Sequence, residues 1–278
     1  MNQHSAPVNL LLYLRHSLES FSPTLQKLGV FVLEHTQRVL YLTITELAEQ
    51  SGTSEASVTR LCRMLGCKGF AEFKMALALE ASQQDEPASA ATDDVQGLIV
   101  EAANALQDTG KLVNRQALAD GAVMLHTLRS LQIYGVAASA IIGNYLQYKL
   151  LRLGKSAHAF DDMHSAAMNA VSLGAEDAVI AISSSGSTRD VLSAVALARE
   201  HRAKVIVLSN TLHSPLCELA DVLLVAAKPE GPLNAGALQS KIGAMLLVEL
   251  LIQELLKLDD RYALASQRSA SATLPLLL

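Results

Sequence analysis

Tryptophan is absent from the 278 residues, and aromatic side chains make up only 4% of them. That leaves little material for an aromatic-rich β-sandwich. The apolar half of the chain suits a helical or α/β protein instead. Cysteine is scarce as well: Cys62, Cys67 and Cys217 are the three present. An odd number, two of them close together in a helical stretch, makes no disulfide framework. No second Cys/His pair with zinc spacing accompanies Cys62 and Cys67, so they are read as packing residues, and no metal or other cofactor is expected. No apolar run reaches membrane-spanning length without interruption. "VNLLLYLRHSLES" near the start is too short and wrongly flanked for a signal peptide. The expected setting is the cytoplasm, with no membrane partner. The net charge of −5 argues against a general polyanion binder, but nucleic-acid recognition depends on local charge.

What is present falls into two parts. "SQQDEPASAATDD", residues 82–94, is polar, holds a proline and lacks hydrophobic periodicity, so it reads as a linker. It separates an expected helical domain, 1–81, from a second domain, 95–278. Before the linker, Leu10, Leu11, Leu14 and Leu18 share one helical face. Ser22 and Pro23 open a second helix, with Leu25, Leu28, Val32 and Leu33 as its stripe. A short helix capped by Thr43 or Thr45 stops at Gly52; another runs from the N-cap Ser54 to Gly66; a further one covers 70–81. After the linker come helices at 95–107 and 115–128. Apolar strands then alternate with helices from "LQIYGV" through "SAHAF", "AVIAIS" and "KVIVLSN" to "VLLVAA". That alternation predicts a parallel sheet covered on both faces. A long apolar helix over 236–258 closes the domain. It is apolar on more than one face and reads as buried, in part at a dimer interface.

Two segments carry chemistry. In "ITELAEQSGTSEASVTRLCRMLG", two short helices meet at Gly52, with Leu47, Ala48, Val58 and Leu61 inside the corner. The second helix opens with Ser54, Glu55, Ser57 and Thr59, followed by Arg60 and Arg63, with Lys68 beyond it. Small polar residues then arginines suit a major groove, where hydroxyls and amides hold phosphates and outer side chains reach base edges. From Ser54 to Lys74 the cations Arg60, Arg63, Lys68 and Lys74 outnumber Glu55 and Glu72 by two. A few phosphate contacts per subunit imply at least a dimer. The second segment is "AVIAISSSGSTRDVL". A strand that ends in Ser183, Ser184, Ser185, Gly186, Ser187 and Thr188 before a helix is an anion site, with helix amides and hydroxyls as donors and Gly186 allowing close approach. Walker spacing is absent. "IYGVAASAIIG" repeats the theme at Gly135 and Ser139, and on a parallel sheet both loops lie at strand carboxyl ends.

The segment "ITELAEQSGTSEASVTRLCRMLGCKGFAEFK" resembles the N-terminal domain of the RpiR/MurR family of bacterial transcriptional regulators. Leu47, Ala48, Ser54, Val58, Arg60, Cys62, Arg63, Leu65, Gly66, Gly69, Phe70, Phe73 and Lys74 match. Thr53 stands where that family has Val, and Ser57 where it has Thr. The hydroxyl-rich loop resembles that of SIS (sugar isomerase) domains, matched at Ile182, Ser183, Ser185, Gly186 and Thr188; Ala137 departs where a second glycine is usual. The resemblance implies a mixed α/β chain: an all-α helix-turn-helix domain, then a SIS domain with a five-stranded parallel sheet flanked by helices. It implies that Ser183, Ser185 and Thr188, with Ser139, hold the phosphate of a sugar-phosphate effector, while Ser54, Glu55, Ser57, Thr59, Arg60, Arg63 and Lys68 serve operator DNA. A homodimer or homotetramer regulating carbohydrate-metabolism genes follows, repression relieved by ligand being the commoner arrangement in that family. The alternative is a sugar-phosphate isomerase with a helical appendage. It needs a base, for which His158, His164, His213, Glu218 and Glu249 are candidates, yet none sits in a motif that demands catalysis. No catalytic residue is therefore expected. Gln239, Ser240 and Lys241, which open the last long helix, are weaker ligand candidates.

Overall fold

The computed structural model describes residues 10–84 and 94–276. Most of the expected linker, 85–93, lies outside the described residues. The chain divides into two compact units. The first runs up to Gly97 and includes Pro229–Ala235; the second comprises Leu98–Lys228 and Gly236–Leu278.

The first unit is helical: α1 (Leu10–Ser17), α2 (Pro23–Glu34), α3 (Thr36–Val39), α4 (Ile44–Ser51), α5 (Glu55–Met64) and α6 (Phe70–Gln84). Its core takes Leu10 and Leu14 from α1, Leu25, Leu28 and Val32 from α2, and Val58, Leu61 and Cys62 from α5. Each fully buried leucine contributes roughly 1.5–3 kcal/mol, so the stripes hold the helices together. Thr43, rather than Thr45, caps α4. Its hydroxyl accepts from the Glu46 amide at 3.1 Å while Glu46 Oε2 accepts from the Thr43 amide at 2.8 Å. Gly52 ends α4 at φ +61°, and a Cβ there would lie 2.3 Å from Lys27 Nζ. Ser54 then caps α5 through the Ser57 amide at 3.2 Å. Burial pushes the Cys62 thiol up to about 12, which fits a packing role.

The second unit follows as α7 (Asp94–Leu112), α8 (Arg115–Thr127), β1 (Ser130–Tyr134), α9 (Ala138–Arg152), β2 (His158–Phe160), α10 (Met163–Ala170), β3 (Asp177–Ile182), α11 (Arg189–Glu200), β4 (Lys204–Ser209), β5 (Val222–Val225), α12 (Leu238–Leu256) and α13 (Asp260–Thr273). The five strands are all parallel in the order β2-β1-β3-β4-β5. The period of two divides their side chains. Ile133, Ile180, Ile182, Ile206 and Leu208 pack under α8, α9 and α12; Tyr134, Val179, Ala181, Val205 and Val207 pack under α10 and α11. Asp177, at the start of the central strand and 1% exposed, is held by Arg129 Nε at 3.1 Å and Nη2 at 2.7 Å and accepts from the Gly174 amide at 2.8 Å. No helix among the described residues is long and apolar enough to cross a membrane.

Lys74 supplies a pH test of the first unit. Its ammonium donates to the carbonyls of Leu40 at 3.1 Å and Leu42 at 3.0 Å, and burial lowers its pKa to about 8 despite Glu46. Between that value and the ordinary 10.5, the unfolded chain holds a proton the folded chain lacks, so stability rises with pH in this window. Urea melts of the full chain between pH 8 and 10 are expected to show a stability–pH slope more positive in the parent than in Lys74→Met, the raised Cys62 thiol working the other way in both above pH 9. Equal slopes in both proteins would contradict it.

Candidate functional site

The strand order reverses between β1 and β3: the chain leaves β1 toward β2 on one side and returns to β3 on the other. In open parallel sheets this switch point opens a crevice at the carboxyl ends of the strands. β1 and β3 end nearly level, Tyr134 opposite Ala181. The loops that follow them are therefore neighbours, about one strand spacing, ~4.8 Å, apart at their roots. The two glycine- and serine-containing segments singled out in the sequence are these two loops.

The loop after β3 is braced from behind. The Ser184 carbonyl accepts from the Asn210 amide at 3.1 Å and Ser209 Oγ at 3.3 Å; the Gly186 carbonyl accepts from the Leu216 amide at 3.0 Å. A peptide's N–H points opposite to its C=O, so the Ser185 amide faces away from β4. Gly186 has φ +59°, and a Cβ there would fall 1.9 Å from Ser214 Oγ, so no side chain fits. Ser183, 4% exposed, has its hydroxyl 3.3 Å from Thr188 Oγ1 and accepts from the Gly186 amide at 3.2 Å. Ser185 is exposed and accepts from the Ser187 amide at 3.3 Å.

In the loop after β1, Ser139 is buried in the first turn of α9, and its Oγ has no hydrogen-bond partner among the described residues. A Cβ on Gly135 would lie 3.1 Å from the Ser139 carbonyl, so this turn needs a glycine for close approach. Ala137 holds φ +51°, a conformation that favours glycine and costs a side-chain-bearing residue about 1–3 kcal/mol. The missing second glycine is thus a matter of backbone strain.

Six helix starts in this unit fall into two groups. Asn114, Asp162 and Asp259 cap α8, α10 and α13 with side-chain oxygens. The starts of α9, α11 and α12 have Ala137, Thr188 and Ala237 as N-caps, and none makes a side-chain cap bond. Uncapped first-turn amides carry partial positive charge and attract anions. α12 reaches both loops: Lys241 Nζ donates to Ser184 Oγ at 2.7 Å, and a Cβ on Gly236 would lie 3.8 Å from Ala138 Cβ. Asn210 Nδ2 ties the start of this helix down through the Ser240 carbonyl at 3.2 Å. Gln239 instead bonds Glu101. Ser184 and Lys241 therefore join the loop's polar network; the hydroxyl run pointed to the first, and the second is one of the three weaker candidates at the start of α12.

A cavity of about 420 Å³ adjoins the first loop, lined by Val136, Asp161, His164, Ala167, Asp190 and Ser193 among others. Of the five acid–base candidates, His164 faces this cavity. His158 meets Phe160 edge to face, with ring centroids 4.5 Å apart. Glu249 binds Tyr145 Oη and, at 2.9 Å, Lys149 Nζ. Partial burial pushes its carboxyl upward, but those two donors hold it below the ordinary range. It is an ion-pair partner on the α9–α12 face. Among the described residues no group of three or more His, Cys, Asp or Glu is placed to hold a metal ion.

In the first unit α5 presents its outer face. Arg60 and Arg63 are exposed, Thr59 is half-buried, and these three with Ala56 and Met64 line a groove of about 580 Å³. Lys68 is exposed beyond the helix. Ser54 is occupied as the cap, its Oγ 3.0 Å from Ser57 Oγ, and Glu55 accepts from Thr45 Oγ1. Lys74, counted above toward the local positive surplus, points inward to two carbonyls and adds nothing to this surface.

Comparison with known proteins matches residues 8–84 to the helix-turn-helix domain of the rpiR family and residues 124–253 to the SIS domain. An HTH-type transcriptional regulator of Caldanaerobacter subterraneus is 32% identical over 250 residues, 87% of this chain and 89% of that one. The HTH-type transcriptional regulator RpiR of Escherichia coli K12 is 27% identical over 272 residues, covering 95% and 92%. The structure of the Vibrio vulnificus NanR protein complexed with ManNAc-6P superposes with a TM-score of 0.92 at 42% identity, covering 97% of this chain and 100% of that one.

The loop geometry makes a direct prediction. Gly186→Ala combines a backbone penalty of about 1–3 kcal/mol with a clash against Ser214. Its thermal midpoint is expected several degrees below the parent's, and a midpoint equal to the parent's would show that the loop does not need this conformation.

Proposed function

The chain belongs to the rpiR family of helix-turn-helix transcriptional regulators and carries a SIS domain, and from that premise we propose that a phosphorylated sugar bound at the β1/β3 switch point controls its hold on operator DNA. The observation that carries this reading is the set of three helix starts without side-chain caps, α9, α11 and α12, around the braced serine loop. Ser183, Ser185 and Thr188, with Ser139, donate to the phosphate. Lys241, 2.7 Å from Ser184, adds a positive charge. N-acetylmannosamine 6-phosphate is the first effector to test, because the 42% identical NanR was solved with it.

Arg60, Arg63, Thr59 and Lys68 serve the operator, with Ser54 and Ser57 shaping the helix start. The protein acts as a homodimer or homotetramer in the cytoplasm, so that two copies of α5 meet two half-sites. It does not catalyse. Glu249, the carboxylate candidate on α12, is committed to Lys149 and Tyr145. The effector acts through linkage: it shifts the balance between states of high and low DNA affinity only as far as it binds one better than the other.

The division of labour is tested by two sets of variants. Arg60→Ala is expected to weaken operator binding about tenfold or more and to leave sugar-phosphate affinity unchanged. Ser185→Ala with Thr188→Ala, or Lys241→Met, is expected to cut sugar-phosphate affinity about 10- to 100-fold. Operator binding then persists but no longer responds to the effector. Calorimetry and gel-shift assays read the two affinities; parallel losses in every variant would defeat the proposal. Turnover of any sugar phosphate in the same panel would favour the isomerase alternative.

A further inference from the structure

α5 carries two apolar side chains on its outer face that neither packing nor phosphate contact explains. Successive helical residues turn by about 100°. Val58, Leu61, Cys62 and Leu65 therefore share the inward side, where all four are buried. Ala56, Thr59, Arg60, Arg63 and Met64 cluster on the opposite side and line one groove. Glu55 lies between the two faces, bonded to Thr45. Met64 is 41% exposed and Ala56 is exposed as well. The methyl and thioether thus sit in line with two exposed arginines, one at each end of the helix.

We infer that Ala56 and Met64 are base-reading residues that pack against thymine 5-methyl groups in the major groove. This rests on the reading that α5 enters that groove. The occupant is set by charge complementarity: Arg60 and Arg63 on the same stripe suit a polyanion and pair bidentately with guanine O6 and N7. Ala56, in the first turn, has no donor or acceptor beyond its backbone and lets the helix approach closely, which suits an apolar base feature. The thymine methyl is the apolar group on the major-groove edge. Met64, long and flexible, reaches a second methyl from the other end of the helix. A half-site with thymines flanking guanine follows.

The full-length protein is used to select binders from a pool of randomised duplexes. The expected motif places thymine on either side of guanine. Replacing each such thymine by deoxyuridine removes only the methyl and is expected to weaken binding about fourfold per contacted position. Ala56→Gly abolishes the thymine-over-uracil preference at one position, and Met64→Gln abolishes it at the other. Each variant is compared with itself on two duplexes, so a general loss of stability cancels. The parent protein's own ratio decides the matter if a variant fails to fold. Equal binding of thymine and deoxyuridine duplexes by the parent overturns this inference and leaves operator binding intact. Enrichment of no duplex at all overturns both.

Discussion

A parallel sheet whose strand order reverses between β1 and β3 forces α9 and α11 onto opposite faces, because both crossovers take the same hand. Their starts then flank one crevice. Each brings about half a unit of positive charge, and α12 contributes a third start, with Lys241 beside it. Where this unit has no use for those amides, at α8, α10 and α13, an Asn or Asp covers them. At the crevice no side chain does so. The serine loop is fixed from behind by β4 and the segment after it, so the placement of its hydroxyls and amides is set by the fold.

The helical unit divides its few cations between surface and interior. Arg60 and Arg63 point outward, while Lys74 is taken inward to satisfy two carbonyls just ahead of the α4 cap. Glu55, which would repel phosphate, is bonded to Thr45. The local surplus of charge counted along the chain therefore overstates what the surface offers.

Much of this was legible from residue order. The apolar stripes of α1, α2 and α5, the stops at Gly52 and Gly66, and the five apolar strands are local patterns, and each appears where its periodicity puts it. The hydroxyl cluster stood out as a loop between strand and helix because strand, glycine and helix start are contiguous in the chain. What escaped were contacts with partners far away in sequence. Lys241 meets Ser184 from 57 positions on, and Lys74 meets Leu40 and Leu42 from 34 and 32 positions away. Ala137 stood out as a departure where a second glycine is usual, but its positive φ is visible only once the turn is built.

The sequence by itself determined the class of the fold, the positions of its helices and strands, and which short segments carry donors, because these depend on spacing within a few residues. Only the tertiary structure decided which helix starts lack side-chain caps, which lysine faces outward and which carboxylate is already paired. Those outcomes depend on distances between segments far apart along the chain, and such distances exist only after the sheet has brought the segments together.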